Sequence, residues 1–299
     1  MVHSIFNISN SIILMPFRNV LVKISRIFIK EKDEEKEFVL DERLMLTPPI
    51  AVAECRNSMK KMISKAKNGL DISTLMLLNG YNDADFETIK KNEESIDKFE
   101  DRIGTYLMKL TTTQHLSVQD KNNSSRMLQA VGEIERIADH ANYLSNSSEE
   151  LFEKKIEFSA EARNELIRIV HAVRKVYTLA IDCFLSEDAK GAKDIGPLRI
   201  VINEMSDEFK ANHVERLASG QCTTEQGFVF NDILYSCVRI AEHSLNIAAI
   251  AYRFKNPSRE NYTTYMHDFK QLKDSVSERR YKEFLDEFSS VEKACGEAV

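Results

Sequence analysis

Apolar positions recur at steps of three and four along most of the chain, the spacing of one side of an α-helix rather than one face of a strand. In TPPIAVAECRNSMKKMISKA (47–66), Thr47 stands at an N-cap position with prolines in the first turn, and Ile50, Ala53, Met59, Met62 and Ala66 follow on one side. A polar break at NGYND (79–83) precedes Phe86, Ile89, Ile96, Phe99, Ile103, Tyr106 and Leu110, again at helical spacing. A third helix is predicted from about Val118 to Ser145, through Met127, Val131, Ile134, Ala138 and Ala141. Three long amphipathic helices with short polar breaks predict an antiparallel bundle.

The second half repeats this plan. Ser159 can cap a helix carrying Leu166, Ile169, Val173, Val176, Ala180 and Cys183; SEDAKGAKD (186–194) breaks it; and Ile195, Leu198, Ile202, Met205 and Phe209 carry the next. After ASGQC (218–222), Thr223 or Thr224 starts a long helix through Ile233, Cys237, Ile240, Ser244, Ile247 and Ala248. RIADH (136–140) returns as RIAEH (239–243) at the same place in this last helix, 103 residues on. Internal duplication explains the coincidence, and each copy is larger than a solenoid unit. The expected fold is all-α: two tandem three-helix bundles, 43–150 and 155–255, then a helical extension at 256–299. Within that extension Tyr265, Phe269, Leu272, Val276, Tyr281 and Phe284 predict a seventh helix over 261–294.

The first thirty residues break the pattern. SIFNISNSIILMPF (4–17) is mostly apolar, and RNVLVKISRIFIK (18–30) mixes apolar residues with Arg18, Lys23, Arg26 and Lys30. The uncharged run is about fourteen residues, short of the ~20 a spanning helix needs. A secretory signal would order its charged and apolar parts the other way round. An N-terminal membrane-proximal helix over 1–30 is expected. It either lies in the interface with its basic residues at the headgroups or ends a membrane segment whose cytoplasmic side the basic cluster marks. A buried helix of a soluble body is the third reading. KEKDEEKEF (30–38) reads as solvated charge, which makes 31–42 a linker.

Composition agrees with helices: nine glycines, five prolines and no tryptophan in 299 residues. The net charge of −6, without an evident basic face, gives no general attraction to nucleic acid. The five cysteines have no paired spacing, so neither a disulfide framework nor a zinc knuckle follows. The Glu-x-x-His spacing of di-iron carboxylate oxidases, the G-x-S-x-G of hydrolases and a Gly-rich phosphate loop are all missing, and no enzyme is expected.

The candidate chemistry is acidic. Glu135 and Asp139 stand one turn apart at the edge of the third helix's apolar stripe, with His140 beside them. Glu94, Asp97 and Asp101 recur at steps of three and four on the second helix. Buried carboxylates pair, protonate or meet a cation. If the two helices face each other, a ring of oxygen donors results that suits Mg²⁺, Mn²⁺ or iron. Equally, these acids could pair with Arg102, Arg136 or lysines along a solvated groove.

EIERIADHANYL (133–144) resembles the signature helix of the PhoU family, whose E-x-x-x-D motif occurs once in each of two three-helix repeats. IAEHSLNIA (240–248) resembles its second copy and ESIDKFEDRI (94–103) the family's acidic second helix; the resemblance covers 43 to about 255. HSIFNISNSIILMPF followed by VLDERLMLTPPIAVAECRNSM is similar to the junction in bacterial Na⁺/phosphate cotransporters where the last membrane helix passes into a cytoplasmic PhoU-like domain. The resemblance implies a regulator of phosphate uptake at the cytoplasmic face of the cell membrane, with metal on the acidic motifs (Mg, Mn, Fe or Zn). Its implied partners are the transporter's membrane domain, in the same or a separate chain, and the membrane surface through residues 1–30; a homodimer is compatible with it. Glu135 and Asp139 match the first motif. In the second, Val238 stands where the first glutamate belongs, leaving Glu242, with Glu204 and Asp207 from the facing helix and Asn246 as helpers. His140 and His243 match family positions, where a histidine bonded at a bundle interface is preferred to a metal ligand. A metal-independent helical adaptor in phosphate signalling is the alternative.

Overall fold

The computed structural model describes residues 40–112, 116–186, 191–255 and 275–296, and every regular element among them is helical. A 3-10 turn, Glu42–Leu46, leads into α1 (Pro48–Asn79). Then follow α2 (Asp83–Thr111), α3 (Val118–Glu153), α4 (Ala160–Ser186), α5 (Ala192–Ala218), α6 (Thr224–Lys255) and α7 (Ser275–Gly296). The described residues from Glu42 onward belong to one compact unit. The expected membrane-proximal helix at 1–30 and the first part of the seventh helix, 261–274, lie outside the described residues. No helix among the described residues is long and apolar enough to cross a membrane.

Local chemistry accounts for the helix ends. Pro48 and Pro49 open α1 with the backbone angle a helix needs. Thr47 makes no side-chain cap, because Pro49 has no N–H to offer and the Ile50 N–H goes to the Thr47 carbonyl at 2.9 Å. Gly80, at φ 104°, ends the helix in a conformation that L side chains rarely adopt. Asn82 caps α2 through the Asp85 N–H and Ser117 caps α3 through the Asp120 N–H, both at 3.0 Å. Ser159 accepts from the Ala162 N–H at 3.3 Å. Thr223 and Gln226 form a reciprocal capping box at the start of α6. Helix α3 runs to Glu153, beyond the predicted Ser145. The polar run SNSS does not break it, because Ser145, Ser147 and Ser148 turn their hydroxyls back onto the carbonyls of Asn142, Tyr143 and Leu144.

Helices α1, α2 and α3 pack mutually, as do α4, α5 and α6; between the sets α3 lies on α6 and α1 on α4. Two contacts reveal the symmetry. Arg174 Nε on α4 donates to Asp71 Oδ1 on α1 at 3.1 Å, and these residues are 103 positions apart. His140 of α3 stacks on His243 of α6, with ring centroids 5.8 Å apart, at the same offset. Equivalent residues of a duplicated unit meet each other only near an axis that exchanges the copies. The halves are therefore related by an approximate twofold through these two contacts. Ile134, Ile137, Ala141 and Leu144 of α3, with Ile240, Ala241, Ile247 and Ala248 of α6, are fully buried. Each of the larger side chains contributes about 1.5–3 kcal/mol by leaving water.

Helix α7 has no counterpart in the first half and packs on α4 and α5. It buries Phe284 and Phe288, and Lys175 lies over both rings while bonding Glu287 at 2.6 Å. Arg280 pairs with Asp194 at 2.5 Å.

The α5–α6 contact generates a prediction. A Cβ at Gly227 of α6 would lie 2.4 Å from His213 Nε2, and His213 is held by stacking on Phe230 at 5.5 Å. Gly227→Ala should destabilise by about 1–3 kcal/mol in urea unfolding. Gly132→Ala on α3 meets nothing within 4 Å and should stabilise by roughly 0.5–1 kcal/mol through helix propensity.

Candidate metal centre

Helix α2 carries Glu93 and Asp97 one turn apart, and α3 carries Glu135 and Asp139 one turn apart. Both helices thus present the same E-x-x-x-D pair. Ile89 and Ile96 on α2, and Ile134 and Ala138 on α3, are buried beside these acids, which fixes the helices' rotation and sets the carboxylates along the groove between them. One carboxylate oxygen each from Glu93, Asp97 and Asp139 lies within 4.8 Å of the others. Glu135 stands beside Asp139, close enough for the two carboxyls to share a proton.

The electrostatics run mainly one way. Burial pushes the Glu135 carboxyl up to about 8, helped by the charge of Asp139, the hydrogen bond to it and the charge of Glu100, while Arg136 opposes. Asp97 is raised by burial and then by Asp139 and Glu94. Glu93 is raised by burial and then by Asp97, Asp139 and Glu94. Two carboxylates about 4 Å apart repel by ~4 kcal/mol at an effective dielectric of 20. A proton or a cation relieves that repulsion. The converging group consists of carboxylates alone, a donor set that suits hard cations such as Mg²⁺, Mn²⁺ or Fe²⁺ better than Zn²⁺.

The other sequence candidates fall elsewhere. Glu94 is exposed and adds charge to the groove, while Asp101 is exposed farther along α2; neither belongs to the converging group. Glu93 does belong, and sequence analysis passed over it. Its signal was the four-residue step to Asp97, which repeats the Glu135–Asp139 step.

In the second half no such acidic group forms among the described residues. Glu242, equivalent to Asp139, is ion-paired within α6 to Arg239 and feels the charge of Arg199 from α5. Val238 stands in place of the motif's first acid, the equivalent of Glu135. Glu204 accepts the Tyr281 hydroxyl of α7 at 2.5 Å, and Asp207 is exposed. Arg199 is half-buried, which holds its guanidinium below its usual value against the pull of Glu242. The second half therefore supplies its own cations to Glu242, the acid equivalent to Asp139.

The histidines occupy the seam between halves. His243 Nδ1 and Asn246 Nδ2 both bond Glu133 Oε2, at 2.8 and 2.9 Å. The twofold equivalent of Glu133 is Ser236, so His140 has no matching acid. His140 lies instead between Tyr143 and Tyr235, with its Nδ1 buried and unpaired. Burial holds its imidazole down to about 4, and the His243, Arg239 and Arg136 charges act in the same direction. In the unfolded chain it protonates near 6.5. Stability from the neutral ring is thus present above 6.5 and lost as pH falls towards 4. His140→Phe should remove this acid loss, narrowing the fall in unfolding free energy from about pH 7 to about pH 5 by roughly 1–2 kcal/mol after screening.

A family model described as the PhoU domain matches residues 59–147 and 166–251, together more than half of the chain. Among solved structures, PhoU from Pseudomonas aeruginosa aligns at a TM-score of 0.64 and 17% identity, covering 69% of this chain and 97% of that one. The phosphate transport system regulatory protein PhoU from Streptococcus pneumoniae aligns at 0.62 and 15% identity, covering 71% and 98%. At these identities the likeness concerns the fold. No curated protein matches the sequence. The two matched stretches fall in α1–α3 and α4–α6, the two halves that meet at His140 and His243, and the chain belongs to the PhoU domain family.

Proposed function

We propose that this protein regulates phosphate uptake at the cytoplasmic face of the membrane, acting on a sodium-dependent phosphate transporter, and that a divalent cation or iron ties α2 to α3. The observation that carries the metal part is the convergence of Glu93, Asp97 and Asp139 with Glu135 at their side. Family membership supports the regulatory part, and one solved relative is described as a phosphate transport system regulatory protein. The cation acts as a structural tie: it converts repulsion across the groove into attraction and so couples the two helices mechanically. The apolar and basic residues 4–30 support attachment to the membrane surface.

The adaptor reading draws on a different surface. Phe152 is 64% exposed at the end of α3 and stacks on Tyr81 at 5.2 Å, beside a groove of about 780 Å³ that also involves Leu78 and Ile156. Such a surface could serve partner binding without metal.

Metal titration separates the two. Without metal, the raised Glu135 value makes stability fall as pH rises from 4.5 through about 8, because the folded chain holds the proton more tightly than the unfolded one. Mn²⁺ or Fe²⁺ should raise the melting temperature at pH 8 by linkage. Glu135→Gln with Asp139→Asn should raise metal-free stability at that pH and abolish the metal response; an unchanged response would leave the groove a solvated face.

Uptake tests the regulatory role. Cells lacking the chain should accumulate more phosphate at high external phosphate, and the wild-type chain should correct this while the double variant should not. Unaltered uptake would contradict the proposal. In fractionation, the full chain should pellet with membranes and a chain starting at Glu37 should not.

A further inference from the structure

A second charged cluster, of opposite sign, lies at the end of the body where α1, α3 and α6 come together. Arg126 of α3 is only 7% exposed. Among the described residues no carboxylate pairs with it; its guanidinium sits 5.7 Å from the centre of the Phe254 ring. Arg56 of α1 approaches the same ring at 5.8 Å. Arg253, the neighbour of Phe254 on α6, lies close enough to repel Arg126. Burial holds both Arg56 and Arg126 below the usual guanidinium value, and at Arg126 the charge of Arg253 acts in the same direction.

A slot opens beside this cluster, lined by Arg56, Lys60, Met127, Phe184, Leu185 and Phe254. Its interior is about 10 Å³, room for one water-sized atom. A bulky ligand cannot enter. A tetrahedral oxyanion can rest at the mouth with one oxygen inserted and the rest facing the basic side chains. Phe254 braces the cluster: Phe184 meets it edge-on at 6.0 Å, and two guanidinia lie against it. Leaving a guanidinium this deeply buried without an anion is costly, and its planar donors match phosphate oxygens in pairs.

We propose that Arg126, with Arg56, Arg253 and Lys60 around Phe254, forms a binding site for a phosphate oxyanion. The site stands apart from the acidic groove between α2 and α3 and does not depend on metal there. The same chemistry is offered by free phosphate and by the headgroup of an anionic phospholipid.

The test uses the full chain. Inorganic phosphate is titrated against chloride at constant ionic strength, following the melting temperature and the heat of binding. In parallel, vesicles of phosphatidylcholine with or without phosphatidic acid are sedimented with the chain. Phosphate should raise the melting temperature well above the chloride control. Arg126→Met should weaken phosphate binding at least tenfold while leaving the phosphate-free chain no less stable, since it removes a buried charge without an acid partner. Arg56→Gln, at a less buried position, should weaken binding in the same direction and guards against a folding defect at Arg126. Arg126-dependent capture by phosphatidic acid vesicles, with a weak response to free phosphate, would support the site and identify the headgroup as its ligand. The proposal is overturned if neither phosphate nor the vesicles respond, or if the response survives Arg126→Met unchanged.

Discussion

Helices α3 and α6 lie against each other across an approximate twofold, and that seam decides where every other feature can sit. Because adjacent residues on a helix are about 100° apart around its axis, turning His140 into the seam turns Asp139 out of it, towards α2. The acid and the histidine after it therefore serve different neighbours on each helix. The duplicated RIADH and RIAEH are the two sides of one contact: His140 and His243 stack, and the carboxylates beside them face different helices.

Once the seam is fixed, the two halves treat the same acidic position differently. In the first, Asp139 faces Glu93 and Asp97 and stands beside Glu135, so four carboxylates gather in one groove. In the second, Val238 removes one acid and Arg199 arrives from the opposing helix, so Glu242 is met by guanidinium groups. The first groove gathers carboxylates, and at the equivalent place in the second a lone acid is met by arginines. The seam shows the same divergence, for Glu133 holds His243 while the equivalent Ser236 leaves His140 without an acid.

Much of this was legible in the sequence, for a physical reason. Helix existence, order and duplication follow from apolar periodicity and from one repeated pentapeptide, both local signals. The end of α3 was misplaced because serines that compete with the backbone in a loop can also bond back along a helix, and the sequence does not say which. The pairing of α2 with α3 was foreseeable from their acidic faces, and Glu93 could have been found from its step to Asp97. Long-range partners were not legible. That Glu204 would meet Tyr281 of α7, that Arg199 would face Glu242, and that Arg126 would be buried on Phe254 all depend on how separate helices rotate against each other.

The account stands on the difference between the two grooves. Anomalous diffraction from crystals of the chain grown with Mn²⁺ tests it directly, since the metal's signal locates itself without reference to any assumed ligand. The account predicts a peak between α2 and α3, within bonding distance of Asp139 and of Glu93 or Asp97, and none between α5 and α6. Peaks of equal height in both grooves, or none in either, would contradict it.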